Sequence, residues 1–144
     1  MKIYFACSID GGRTHAHLYP EIVEHLKNFG EVLTEYFSDD NRLFKTEKGR
    51  GAHEIFERDM NWIDQSSVII AEVSTPSLGV GFEIATVLNQ GKPIICLYKK
   101  QDNKKLSAMI AGNKNLHTIK YDTLEEAKQK IDEFFSNLKN ENLQ

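Results

Sequence analysis

Cysteine is scarce in this chain: two among 144 residues, Cys7 and Cys96. Neither sits in a Cys-x-x-Cys pair or at a Cys/His spacing, which argues against a disulfide framework and a zinc site. Both fall inside apolar runs and are read as packing thiols. Long apolar runs are missing too. None approaches the roughly 20 residues that span a bilayer, and the start "MKIYFACSI" is too short and strand-like for a signal peptide. A soluble protein of the cytoplasm is expected, the nucleus being open in a eukaryote. Positive charge is not in excess, with 18 Lys+Arg against 21 Asp+Glu and a net charge of -3. Neither a nucleic-acid polymer nor a membrane surface is an expected partner. Internal repeats, low-complexity tracts, GxGxxG and the Walker A loop are all absent.

What is present is alternation. Strand-length apolar runs occur at 3–7 (IYFAC), 31–36 (EVLTEY), 67–73 (SVIIAEV), 93–98 (PIICLY) and 116–121 (LHTIKY), with helical patterns between them. This predicts one α/β domain over residues 1–144 with a five-stranded parallel sheet covered on both faces. The nearly continuous apolar runs at 67–73 and 93–98 are expected in its middle. Helices are predicted over 18–30, stopping at Gly30, over 53–65, from near Gly79, and over 124–140. The tail ENLQ is expected to fray. Residues 37–51, polar and glycine-bearing, read as a mobile loop beside the cleft.

Ligands of such sheets bind beyond the carboxyl ends of the strands. After the first strand comes CSIDGGR, where Ser8 offers a hydroxyl and Gly11-Gly12 allow a tight turn. After the third comes STPSLGVGFE, where Ser77 and the backbone around Gly79 open a helix. Either loop alone reads equally as a plain turn; together they suit a small phosphorylated ligand. Glu83 is placed within about a turn of that helix start, where the helix dipole favours its ionised form. Asp59 lies on an apolar helix face, where desolvation should raise its pKa toward that of a general acid. One ionised and one protonated carboxyl are what glycosidic cleavage through an oxocarbenium-like transition state requires. Tyr4 is positioned to orient one of them, core packing being its other reading.

The runs IYFACSIDGGR, FGEVLTE, ERDMNWIDQSSVIIAEVSTPSLGVGFEIA and LSAMIAG resemble the 2'-deoxynucleoside 5'-phosphate N-hydrolases of the nucleoside 2-deoxyribosyltransferase superfamily, over residues 2 to about 121. The resemblance implies a flavodoxin-like, Rossmann-like three-layer sandwich and a homodimer with shared active sites. It implies cofactor-free and metal-free hydrolysis of deoxynucleoside monophosphates to a base and 2-deoxyribose 5-phosphate. Glu83 would be the nucleophile or cation stabiliser, Tyr4 its orienter, and Asp59 the acid-base group. Ser8, Ile9, Ser77, Gly79 and the neighbouring subunit's Ser107 would hold the phosphate, and Ile55 and Met109 would sandwich the base. Two departures stand out. Asp10 replaces an arginine of the family's SIRGGR pattern, which implies a weaker hold on a dianion, and Cys7 replaces a small residue, which implies a narrower cleft. A deoxyribosyltransferase and a catalytically silent nucleotide-binding module are the competing readings.

Overall fold

The computed structural model describes residues 1–141. Five strands, β1 (Lys2–Ala6), β2 (Glu31–Val32), β3 (Val68–Glu72), β4 (Ile94–Lys99) and β5 (His117–Tyr121), form an all-parallel sheet in the order β2-β1-β3-β4-β5. β3 and β4 are interior, as their unbroken apolar runs predict, and β1 is interior too. The helices are α1 (Tyr19–Leu26), α2 (Asp40–Glu47), α3 (Ala52–Gln65), α4 (Leu78–Asn89), α5 (Ala108–Ala111) and α6 (Leu124–Glu141). Successive residues of β1 point to opposite faces. Phe5 meets Tyr19 of α1 edge-on, with ring centroids 5.7 Å apart, whereas Tyr4 reaches Glu83 of α4. Both faces are thereby covered.

Several boundaries differ from the sequence reading. The second strand is two residues long, because Thr34 turns its hydroxyl onto β1, donating to Phe5 O at 2.8 Å and accepting from Phe5 N at 2.9 Å. With the ladder groups taken by a side chain, the chain leaves the sheet and forms a 3-10 turn over Glu35–Ser38. The segment 37–51 is not an open loop, since it contains α2. Asp39 supplies the cap that the polar composition hid, its carboxylate accepting from the N–H groups of Asn41 and Arg42 at 2.9 and 3.1 Å. Gly30 does not stop α1, which ends at Leu26; a Cβ at position 30 would stand 2.2 Å from Met1 O, so close backbone approach is what needs glycine there. On α3 only Ile63 of the expected apolar face is fully buried, while Phe56 is exposed and meets Phe82 of α4. The tail beyond Glu141 lies outside the described residues.

The Asp39 cap accounts for a measurable share of stability. Asp39→Ala is expected to lower the unfolding free energy by about 1 kcal/mol, read from the urea midpoint at unchanged slope; an unmoved midpoint would show that α2 is held by its tertiary contacts alone.

Candidate active site

Because β2 and β3 flank β1 on opposite sides, the chain reverses direction across the sheet between them, and the loops after β1 and β3 face each other at that switch. They touch. A Cβ on Gly11 would lie 2.5 Å from Pro76 O, 2.9 Å from Ser8 Oγ and 3.3 Å from Ser77 Cα, so only glycine lets the loops meet. Gly12 has φ of +117°, which completes the turn. Ser77 caps α4, its hydroxyl accepting from Val80 N at 3.3 Å, and Gly79 lies in the first turn, whose leading N–H groups have no intrahelical acceptor. Ser8 is fully buried, and its hydroxyl has no partner among the described residues. An unsatisfied buried hydroxyl beside a twelve-residue helix's N-terminus is a corner whose free donors suit an anion, here called the anion corner. Ile9, half-buried, lies in the same loop.

The two departures noted in the sequence acquire positions. Asp10 is exposed. Arg13 does not take an arginine's place in the corner: its guanidinium donates to Ser8 O at 3.1 Å, Phe37 O at 2.9 Å and Asp40 Oδ1 at 3.0 Å, and so ties the first loop to the start of α2. Cys7 is buried, close to Phe37 O and the Arg13 guanidinium, and burial pushes its thiol up to about 12.

Beside this corner, the Tyr4 hydroxyl donates to Glu83 Oε1 at 2.7 Å. Glu83 is the sixth residue of α4 and lies beyond the first turn, where the helix dipole is spent. The helix-dipole account of Glu83 is therefore corrected: burial pushes Glu83 up to about 7, against the Tyr4 hydrogen bond that favours the carboxylate, and the nearby charge of Asp59 adds to the rise. Asp59 is raised by burial, as the sequence predicts, with the Arg58 guanidinium pulling the other way. Tyr4 is raised well above the usual phenol value by burial, then by Glu83 and Asp59. The charge of Asp59 thus raises both Glu83 and Tyr4, which ties the protonation of those two groups to its own.

Not every candidate comes to this cleft. Ile55 is half-buried on α3, one turn before Asp59. Ser107 and Met109 lie at the exposed start of α5, and no described hydrogen bond links Ser107 to Tyr4, Asp59 or Glu83. Three functional candidates escaped the sequence reading. Arg58 and Glu47 brace Asp59, and Glu72, at the end of β3, is a buried carboxyl pushed up to about 7 by desolvation. No spacing rule selects them. Among the described residues no group of three or more His, Cys, Asp or Glu side chains is arranged to hold a metal.

The family model for nucleoside 2-deoxyribosyltransferase matches residues 3–136. The chain belongs to that family. A 5-hydroxymethyl-dUMP N-hydrolase of Rattus norvegicus is 45% identical over 112 residues, covering 77% of this chain and 69% of that protein. One of Danio rerio is 41% identical over 140 residues, 96% of this chain and 98% of that protein. Among solved structures, a CMP N-glycosidase of Clostridium botulinum superposes with a TM-score of 0.65 at 20% identity, over 93% of this chain and 99% of that one, and shares the fold.

Removing the Tyr4 hydroxyl takes away the group that favours ionised Glu83. In Tyr4→Phe the Glu83 titration, followed by carboxyl 13C NMR, is expected to move further above about 7, by about one unit; a midpoint that stays or falls would show that the hydroxyl does not stabilise the carboxylate.

Proposed function

We propose that this chain hydrolyses the N-glycosidic bond of 2'-deoxynucleoside 5'-monophosphates, releasing a free nucleobase and 2-deoxyribose 5-phosphate. The observation that carries the reading is the Tyr4–Glu83 hydrogen bond of 2.7 Å, coupled to Asp59 and set beside the unpaired hydroxyl of buried Ser8. Relatives at 41% and 45% identity are named as N-hydrolases of a deoxynucleoside monophosphate, which supports hydrolysis over base exchange.

In this reading ionised Glu83 faces the anomeric carbon and forms a bond to it, or holds it as a cation, while the bond to the base nitrogen breaks. Asp59 passes its proton to the departing base. The resulting carboxylate then takes a proton from water, whose oxygen bonds the anomeric carbon and frees Glu83. Tyr4 holds Glu83 Oε1 and keeps the carboxylate turned toward the sugar. The phosphate lies on Ser8, the Ile9 amide, Ser77 and the Gly79 amide at the α4 N-terminus. No cofactor enters: the chain's carboxyls and one water supply every proton that moves.

Ser107 and Met109 come from a second copy of the chain in this proposal, with Ile55 and the partner-supplied Met109 on either side of the base. Exposed apolar side chains support the dimer: Leu78 is 97% exposed, Met109 82%, Phe82 55% and Phe56 47%, and Leu78 and Phe82 flank the anion corner on α4. A single domain in the cytoplasm fits the buried, unpaired thiols. Among the described residues no helix is long and apolar enough to cross a membrane.

The deciding assay is base release from dGMP beside deoxyguanosine, each with and without adenine. Release from dGMP alone, indifferent to adenine, is expected; deoxyadenosine formed from deoxyguanosine would make the chain a transferase. Glu83→Ala is expected to lose several orders of magnitude in rate and Asp59→Asn about 10²–10⁴-fold, so near-normal turnover in either would discard its role. Retained ligand binding in wild-type protein that turns nothing over would leave the silent module.

The shared site has its own test. Ser107→Ala is expected to weaken phosphate binding by about 1–3 kcal/mol. Mixing Ser107→Ala with Glu83→Ala protein should give dimers whose activity differs from the average of the parents, and simple averaging would place each site within one chain.

A further inference from the structure

Arg58 is not a surface arginine. Its Nε and Nη2 both reach Asp59 Oδ1, at 2.9 and 2.8 Å, and its Nη1 donates to Glu47 Oε1 at 2.6 Å. Tyr36 donates to that same Glu47 oxygen at 2.8 Å. The guanidinium carbon lies 4.9 Å from the ring centroid of Trp62, 5.7 Å from that of Phe37 and 5.9 Å from that of Tyr36. Side-chain exposure is 15% for Arg58, 14% for Asp59 and 19% for Glu47.

Neighbouring residues on a helix point about 100° apart and do not face each other. Arg58 must fold back along α3 to touch Asp59, and an unbraced guanidinium would swing into water. The brace comes from elsewhere: Glu47 at the end of α2 and the three rings hold it against its neighbour. Both N–H groups converge on Oδ1, and no described residue is hydrogen-bonded to Oδ2. We propose that Arg58 is a positioning residue for Asp59, clamped by Glu47 and its aromatic cage so that Oδ1 is occupied and Oδ2 is the oxygen that exchanges the proton with the departing base. This assignment rests on the acid-base role proposed above for Asp59. It gives the segment 37–47 a task, since that stretch carries Phe37 and Glu47.

The charged and titratable groups around Asp59 are Arg58 on its own helix, Glu47 on α2, Tyr36 before α2, Tyr4 on β1 and Glu83 on α4. Arg58 is the cation of this set. Its loss removes the one influence that favours ionised Asp59, so the titration must move up.

The test is the Asp59 titration in the free protein, by carboxyl 13C NMR with Asp59→Asn as the assignment control, in wild type, Arg58→Gln and Arg58→Lys. Arg58→Gln is expected to raise the midpoint by about one unit or more, with Arg58→Lys in between, because an ammonium keeps the charge and loses the fork. With dGMP as substrate, the limb of the kcat profile set by Asp59 should move the same way, while KM changes less than about threefold because the anion corner lies on other loops. An unmoved midpoint in Arg58→Gln protein that melts like wild type would overturn the proposal; should that variant not fold, an unmoved midpoint in Arg58→Lys would do so. If wild type releases no base from dGMP, the hydrolase reading fails on that result, whereas the titration still decides whether Arg58 governs Asp59.

Discussion

Everything at the cleft depends on the pairing of β1 with β3. Ile3, Tyr4, Phe5 and Ala6 run in register with Val68, Ile69, Ile70 and Ala71, and β2 is left on the other side of β1. Parallel pairing aligns the carboxyl ends of both strands, so the two following loops emerge together and are pushed apart by the helices they lead to. Gly11 lets those loops close onto each other at their base. Tyr4 and Glu83, 79 positions apart, meet because β1 carries the first and α4, launched from β3, carries the second.

The same pairing sets two carboxyls, both raised by burial, in different surroundings. Glu72 ends β3 and Glu83 lies eleven residues later, and burial pushes each up to about 7. Glu72 is wholly buried; its Oε1 accepts from the hydroxyl and the N–H of Ser74, and Ser74 Oγ accepts from Lys99 N at 2.7 Å. The hydroxyls of Tyr19 and Tyr121 are buried with no hydrogen-bond partner among the described residues, and both phenols are raised by burial first and then by the Glu72 charge. That carboxyl fixes the backbone from which the anion corner springs, and it is closed to solvent. Glu83 instead opens to the cleft. For both groups the folded value lies above the ordinary carboxylate range, so their contribution to stability is full below about pH 4.5 and is lost as pH rises through about 7. Keeping either carboxyl ionised near neutrality thus costs the fold stability, and the Tyr4 hydroxyl offsets part of that cost at Glu83.

Much of this was legible in the sequence. Unbroken apolar runs identified β3 and β4 because strands covered on both faces have no polar side to show. Tyr4, Asp59 and Glu83 were visible as polar residues in apolar settings, and the structure buries all three at least in part. Residues 37–51 were misread because one side-chain cap, Asp39, outweighs a polar composition that also suits a loop. β2 was misread because the Thr34 hydroxyl replaces backbone pairing, which no periodicity reveals. The upward shift of Glu83 was missed for a related reason: helix position is legible in a sequence, whereas desolvation belongs to the packed fold. Arg58 was hidden for want of a partner in sequence range, since Glu47 lies eleven residues away on another helix.

The distribution of arginines bears on how the anion corner works. Arg13 and Arg58 are both near the cleft, and both are committed to protein groups: Arg13 to two carbonyls and Asp40, Arg58 to Asp59 and Glu47. The ends of α2 are therefore pinned by one arginine each, the first reaching the loop after β1 and the second the acid on α3. With its cations used as braces, the corner has hydroxyls, amides and the half-charge of the α4 N-terminus to set against a phosphate. Hydrogen-bond donors aimed from a rigid frame recognise a tetrahedral anion by shape, and they lose less to salt than a free ammonium or guanidinium would. An exposed Asp10 is tolerable in that arrangement, because water screens its charge. The positive side chains near the cleft thus build its frame, and in the proposed reading its dipoles are what remain to bind the phosphate.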